Sequence, residues 1–220
     1  MVLARKFTLA KWAKSEFIDD DNDVQADALT ICLRTTNNSL SLWNYINDTD
    51  GHDNLTDIVY NFLCQQEKLC SIYIILLEDD VIVNTGLNLE QTPGEAILDS
   101  LKDKHFCVNN LTGKKLLSFA ELMKTKLNKG NNSYSQFTPL ELKNILLEKW
   151  ENTTFSLNQL NRERQKSFYE PLIKHLLSEK TSLTPEERRS ETNDIIRKIM
   201  DNPKPDIDTL ISNTISENPK

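Results

Sequence analysis

Three carboxylates stand side by side at Glu78, Asp79 and Asp80, directly after the apolar run Ser71 to Leu77. Carboxylates at the end of a buried strand often cradle a divalent ion in hydrolases and nucleases, where the ion activates water and neutralises developing charge. The same three residues also suit a polar turn between strands at 72–77 and 81–83, because Asp is common turn material. The turn is the better reading, and a metal-dependent hydrolase or nuclease is the alternative. Glu141-Leu142-Lys143 offers a Glu-x-Lys half-site for such a nuclease. Helical spacing points Glu141 and Lys143 apart, however, and the glutamate suits a helix cap.

The second candidate is basic. Residues 102–129 hold seven lysines against Asp103 and Glu121, a local balance of +5 in a chain of net charge −7. Lys114, Lys115, Lys124 and Lys126 are its candidate anion- or partner-binding residues. Such a patch attracts a nucleic-acid backbone or an acidic protein surface. It has only Phe106 and Phe119 for base stacking and no arginine, and the acidic whole disfavours nonspecific nucleic-acid binding. A solvated lysine-rich helix face is the simpler expectation.

Other chemistry is poorly supported. Asp19, Asp21 and Asp23 match the first ligands of a calcium loop, but Val24 and Thr30 stand where Gly and Glu are required. Cys32, Cys64, Cys70 and Cys107 include no Cys-x-x-Cys pair, and His52, His105 and His175 are scattered. Buried, reduced thiols are expected rather than a zinc site. The five glycines form no dinucleotide fingerprint or phosphate loop. No cofactor is expected, and no catalytic residue is assigned.

The elements that must position these groups announce themselves unevenly. Thr-Pro-x-Glu occurs at Thr92, Thr138 and Thr184, at equal intervals of 46 residues. Thr is a good N-cap, Pro suits the first helical position, and Glu three residues on reaches back to the cap. The pattern predicts three helix starts and a chain that turns helical from about residue 92. The segments between the sites share little beyond the caps, which favours separate caps over a helical repeat.

Before residue 92 the periods mix. A strand is expected within 7–12, a helix over 24–34, a strand over 40–46, a helix over 54–65 and a strand over 71–77. After it, residues 96–102, 116–127, 139–150, 157–179 and 185–200 read as helices, with a last short one near 207–215. Residues 105–108 could instead form a hairpin about Thr112-Gly113. Residues 129–135 read as a polar linker.

The fold class is therefore α+β, or a small α/β unit, over 1–91, followed by a mostly α-helical region over 92–220. The 129–136 linker is the alternative boundary. Charge within Met1–Phe7 interrupts any signal-peptide core, and no run is long enough to span a membrane, so a cytoplasmic location is expected. The function expected is that of a non-enzymatic subunit (regulatory, adaptor or inhibitory) presenting helical surface to another protein.

Overall fold

The computed structural model describes residues 1–12, 23–47, 53–66, 70–129, 133–151 and 162–201, together with Thr209, Ser212, Asn213 and Ser216. Asp19, Asp21, His52 and most of the expected helix near 207–215 lie outside the described residues, as do the side chains of Trp150 and Phe168. The chain is α+β, with an antiparallel six-stranded sheet and its helices in the N-terminal part and helices in the C-terminal part. It divides into two compact units, one of residues 1–59 and 71–137, the other of residues 60–70 and 138–220.

In the first unit the strands are β1 (Val2–Phe7), β2 (Leu40–Tyr45), β3 (Ile72–Glu78), β4 (Asn88–Gln91), β5 (His105–Asn109) and β6 (Tyr134–Phe137), in the order β4-β5-β2-β1-β3-β6. β3 is flanked by β1 and β6, and its buried residues Ile72, Ile74, Ile75 and Leu77 fall on both faces. That accounts for the run's continuous apolar character. The helices are α1 (Leu55–Leu63), α2 (Asp79–Asn84), α3 (Asp99–Lys102) and α4 (Gly113–Leu127), of which α1 continues into the second unit after Val59.

One sheet face carries Leu3, Phe7, Leu40, Leu42, Ile75, Leu77 and Val108, packed with Phe119, Ala120, Leu122 and Met123 of α4 and with Ala28 and Cys32. Phe7, Tyr73 and Tyr134 form an aromatic trio at its margin, with ring centroids 5.7–6.0 Å apart. The opposite face carries Ala4, Trp43, Ile72, Ile74, His105 and Cys107, also buried. Period-2 alternation blurs in β2 and β3 because both faces are covered.

Several local expectations change. The first strand is Val2–Phe7, and the chain then makes a 3₁₀ turn at Leu9–Lys11 instead of a strand over 7–12. Residues 24–34 form a π-helical turn at Ala28–Cys32 that buries Ala28 and Cys32 and leaves Ile31 exposed. Val81–Val83 is not a strand. It lies in α2, which ends at Gly86 in the left-handed conformation (φ 77°), whose N–H bonds to the Val83 carbonyl. The end of the expected linker is strand β6, pairing with β3 from Ile72↔Phe137 to Ile75↔Tyr134.

No helix starts at Thr92, because the chain after β4 is held from the side: Thr92 N–H bonds to the His105 carbonyl of β5 and Gly94 N–H to the carbonyl of Lys102 at the end of α3. β5 pairs with β2 and β4, and α4 begins at Gly113 where a hairpin was the alternative. The tight turn at Asn37-Asn38 (φ 53° and 57°) starts β2, since Asn tolerates this conformation better than most residues.

The second unit contains α5 (Pro139–Glu151), α6 (Arg162–Lys180) and α7 (Pro185–Asp201). Its helices bury Leu142, Ile145 and Leu146 on α5; Tyr169, Leu172, Ile173 and Leu177 on α6; and Ile195, Ile196 and Ile199 on α7, while Leu176 and Met200 on the same apolar faces are half-buried. Thr138 and Thr184 cap their helices as the pattern predicts. The Glu141 carboxylate accepts from Thr138 N and Oγ1, both at 2.7 Å, and Glu187 accepts from Thr184 N and Oγ1 at 2.9 and 2.7 Å. α6 contains Pro171 within its length.

Candidate functional site

The two sequence candidates meet and neutralise each other. Glu78 closes β3 and Lys126 sits in the last turn of α4, and Lys126 Nζ lies 3.0 and 3.2 Å from the two Glu78 carboxylate oxygens. The bond from Lys126 holds the Glu78 carboxyl below its ordinary value. Asp79 takes the Met1 ammonium at 2.9 Å, and this bond likewise lowers its carboxyl. Asp79 and Asp80 also accept the backbone N–H of their following residues, at 2.9 and 2.8 Å, as acidic residues in a first helical turn can. Two of the three carboxylates thus hold a cation already. Among the described residues no group of three or more His, Cys, Asp or Glu side chains is placed to hold a metal ion.

The four candidate lysines do not act together. Lys124 is buried (8% exposed) and its ammonium donates to the Trp12 carbonyl at 3.3 Å. Lys126 belongs to Glu78. Lys114 is exposed and Lys115 half-buried in the first turn of α4, where Thr112 caps the helix through a bond from Lys115 N–H. Positive side chains at a positive helix end repel it slightly, and among the described residues no carboxylate pairs with either lysine, so this end of α4 is electropositive. Glu141 and Lys143 separate as helical spacing requires: Glu141 caps α5, while Lys143 reaches Glu179 of α6 at 2.9 Å.

A further polar cluster has almost no sequence signature. His105 and Cys107 are two apart on β5 and therefore share a face. Thr92, one residue beyond β4, lies across from both. His105 Nδ1 is 3.1 Å from the Thr92 carbonyl and 3.2 Å from its hydroxyl, and that hydroxyl donates to Cys107 Sγ at 3.3 Å. The carbonyl fixes the proton on Nδ1, so the hydroxyl accepts from the ring and donates to sulfur. Trp43 meets the imidazole edge-on at 4.9 Å between centroids. Burial holds the His105 imidazole below its ordinary value. The only sequence hint was His-x-Cys at strand spacing; that Thr92 would join it depends on tertiary pairing.

Other titratable groups are buried without converging on a reactive centre. Arg5 donates to the carbonyls of Ser41 (2.5 Å) and Cys32 (2.8 Å), while its Nε is buried without a partner, and burial lowers its pKa to about 10. It fills the gap where the β1–β2 pairing stops at Ala4↔Trp43. Cys32 Sγ accepts from Thr8 N–H at 3.3 Å. In the second unit, burial pushes the Cys64 thiol up to about 12 and raises the hydroxyl of Tyr60, its hydrogen-bond partner. His175 is buried with Nε2 3.4 Å from the Glu179 carboxylate but not aimed to hydrogen-bond with it. All four cysteines are free.

The fold defines an α+β protein. Comparison with protein-family models, with curated proteins and with solved structures finds no match in any of the three. Among the described residues, no helix is long and apolar enough to cross a membrane.

Proposed function

We propose that this chain is a non-enzymatic subunit of the cytoplasm, regulatory, adaptor or inhibitory, that presents helical surface to a protein partner. One observation carries the reading. Among the described residues, every large apolar side chain left exposed, apart from Met1, stands on a helical turn: Ile31, Val81, Val83, Leu117 and Leu140, the last 68% exposed. Buried apolar anchors on helices are what partner grooves take up. Glu78, Asp79, Lys124 and Lys126, in contrast, are each bonded within the first unit.

The test is affinity capture from native lysate with the wild-type chain and with Val83→Asp, Leu117→Asp and Leu140→Asp, each checked for an unchanged melting midpoint. A stoichiometric partner bound by the wild type and lost in at least one variant supports the reading. A monodisperse monomer that captures nothing, or variants that all capture the same partner equally, overturns it.

A second reading is favoured by the uncompensated first turn of α4: binding of an anionic partner through Lys114 and Lys115. With Lys124 and Lys126 engaged internally, only these two of the four candidate lysines remain for it. Two contacts give a shallow salt dependence, a log–log slope of about −2 for a duplex backbone.

A further inference from the structure

The three Thr-Pro-x-Glu sequences end in three different environments. Thr92 is half-buried and its hydroxyl is committed to His105 and Cys107. Thr138 and Thr184 are exposed, and each hydroxyl donates to the glutamate three residues on, at 2.7 Å. These two part at the fourth residue. After Thr138 it is Leu142, which is fully buried. After Thr184 it is Arg188, whose guanidinium folds back over the start of α7: Nη2 donates at 3.0 Å to the carbonyl of Leu183, the residue just before Thr184.

Arg188 Nε is buried and has no hydrogen-bond partner. A buried donor without an acceptor is costly, because it has given up water and gained no bond. Here it belongs to a cation one helical turn from an exposed hydroxyl that is followed by proline. We infer that Thr184 is a phosphorylation site for a proline-directed protein kinase, and that Arg188 receives the phosphate.

Residues 182–184 are non-helical, so the backbone leading to the hydroxyl is open to a kinase. In the transfer, Thr184 Oγ1 bonds to the γ-phosphorus of a magnesium–nucleoside triphosphate while the bond to the β–γ bridging oxygen breaks. Nucleoside diphosphate leaves, and the hydroxyl proton passes to the kinase's base. The product carries a charge of about −2 near neutral pH. Thr184 then has no proton for Glu187, and like charges replace a hydrogen bond.

Glu187 is expelled, and the phosphate bonds the first-turn amides and the guanidinium of Arg188. The capping box becomes a phosphate clamp. At Thr138 the same transfer expels Glu141 in the same way, but Leu142 offers no fork, so that site gains no clamp.

The experiment treats the full chain with a proline-directed kinase and magnesium–ATP, maps modified residues by peptide mass spectrometry, and titrates the product by ³¹P NMR. Wild type is compared with Thr184→Val and Arg188→Gln, and each product's melting is recorded to confirm folding. Expected are incorporation at Thr184, its loss in Thr184→Val, and a phosphate titrating about one pKa unit below the ordinary value of about 6. The Arg188→Gln product returns to the ordinary value. No incorporation at Thr184 in the folded chain overturns the acceptor assignment, and an unchanged titration in Arg188→Gln overturns the receiver assignment.

Discussion

Gly94→Ala is a single-methyl test of the packing around His105. The backbone at Gly94 does not need glycine, since Gly86 alone among the described glycines has a positive φ. The space does need it: a Cβ there would sit 2.5 Å from both Cβ and Cγ of His105 and 3.0 Å from its Cδ2. Carbon atoms rest about 3.5–4.0 Å apart, so roughly 1 Å of movement is required. The imidazole cannot readily supply it, being bonded to the Thr92 carbonyl at 3.1 Å and set against Trp43 at 4.9 Å.

Overpacking of this kind costs about 1–3 kcal/mol. Loss of unfolded-state freedom on replacing Gly by Ala returns about 0.4–1 kcal/mol. The clash wins, for a net loss of about 1–2 kcal/mol. For a chain of this length that lowers the melting midpoint by about 3–6 °C. Urea titration and thermal melting read the effect directly. A His105→Ala background provides the control: with the ring gone, Gly94→Ala becomes neutral or mildly stabilising, so the coupling equals the clash itself, about 1–3 kcal/mol. A Gly94→Ala protein as stable as wild type would refute the close packing, and so would an equal penalty in both backgrounds.

Stability falls as pH drops from neutrality through the histidine range. His105 and His175 both titrate below the ordinary 6.5 because burial disfavours the charged ring, an effect that Lys143 reinforces and Glu179 opposes at His175. The unfolded chain therefore takes up protons first, so their contribution is full above 6.5 and lost toward the lowered values. Urea midpoints at pH 7.5, 6.5 and 5.5 check this, and midpoints that are flat in wild type but not in the histidine variants rule it out. Magnesium or manganese is expected to leave the melting midpoint unchanged, because Lys126 and the Met1 ammonium already occupy Glu78 and Asp79. A metal-induced rise abolished by Asp79→Asn with Asp80→Asn would reinstate the hydrolase reading.

What the sequence could and could not reveal follows from where each element gets its stability. Most of the cores of α5, α6 and α7 was legible, because an amphipathic stripe records which side of a helix is buried, although Leu176 and Met200 on those stripes are only half-buried. β2 and β3 were legible as apolar runs. β4 and β6 were not, since Asn88–Gln91 and Tyr134–Phe137 are short, largely polar edge strands whose existence depends on partners fifteen or more residues away. α2 was misassigned for a related reason: Val81-Ile82-Val83 has strand-forming residues, yet the acidic first turn and Gly86 terminate a helix.

The three Thr-Pro-x-Glu sites show how far a local motif reaches. Four residues are enough to specify a capping box when nothing nearby competes, and at Thr138 and Thr184 nothing does. At Thr92 the sheet competes. The Thr92 amide bonds to His105 of β5 and the Gly94 amide to Lys102 at the end of α3, and the threonine hydroxyl finds a ring nitrogen and a thiol in place of Glu95. The third residue of the motif is also different there: Gly94 is the one residue small enough to lie against His105. That glycine weakens the helix it would have joined by about 1 kcal/mol relative to alanine. The deviation that spoils the helix is the same one that permits the strand contact, so the residue inside the motif, rather than its capping ends, decides between the two outcomes.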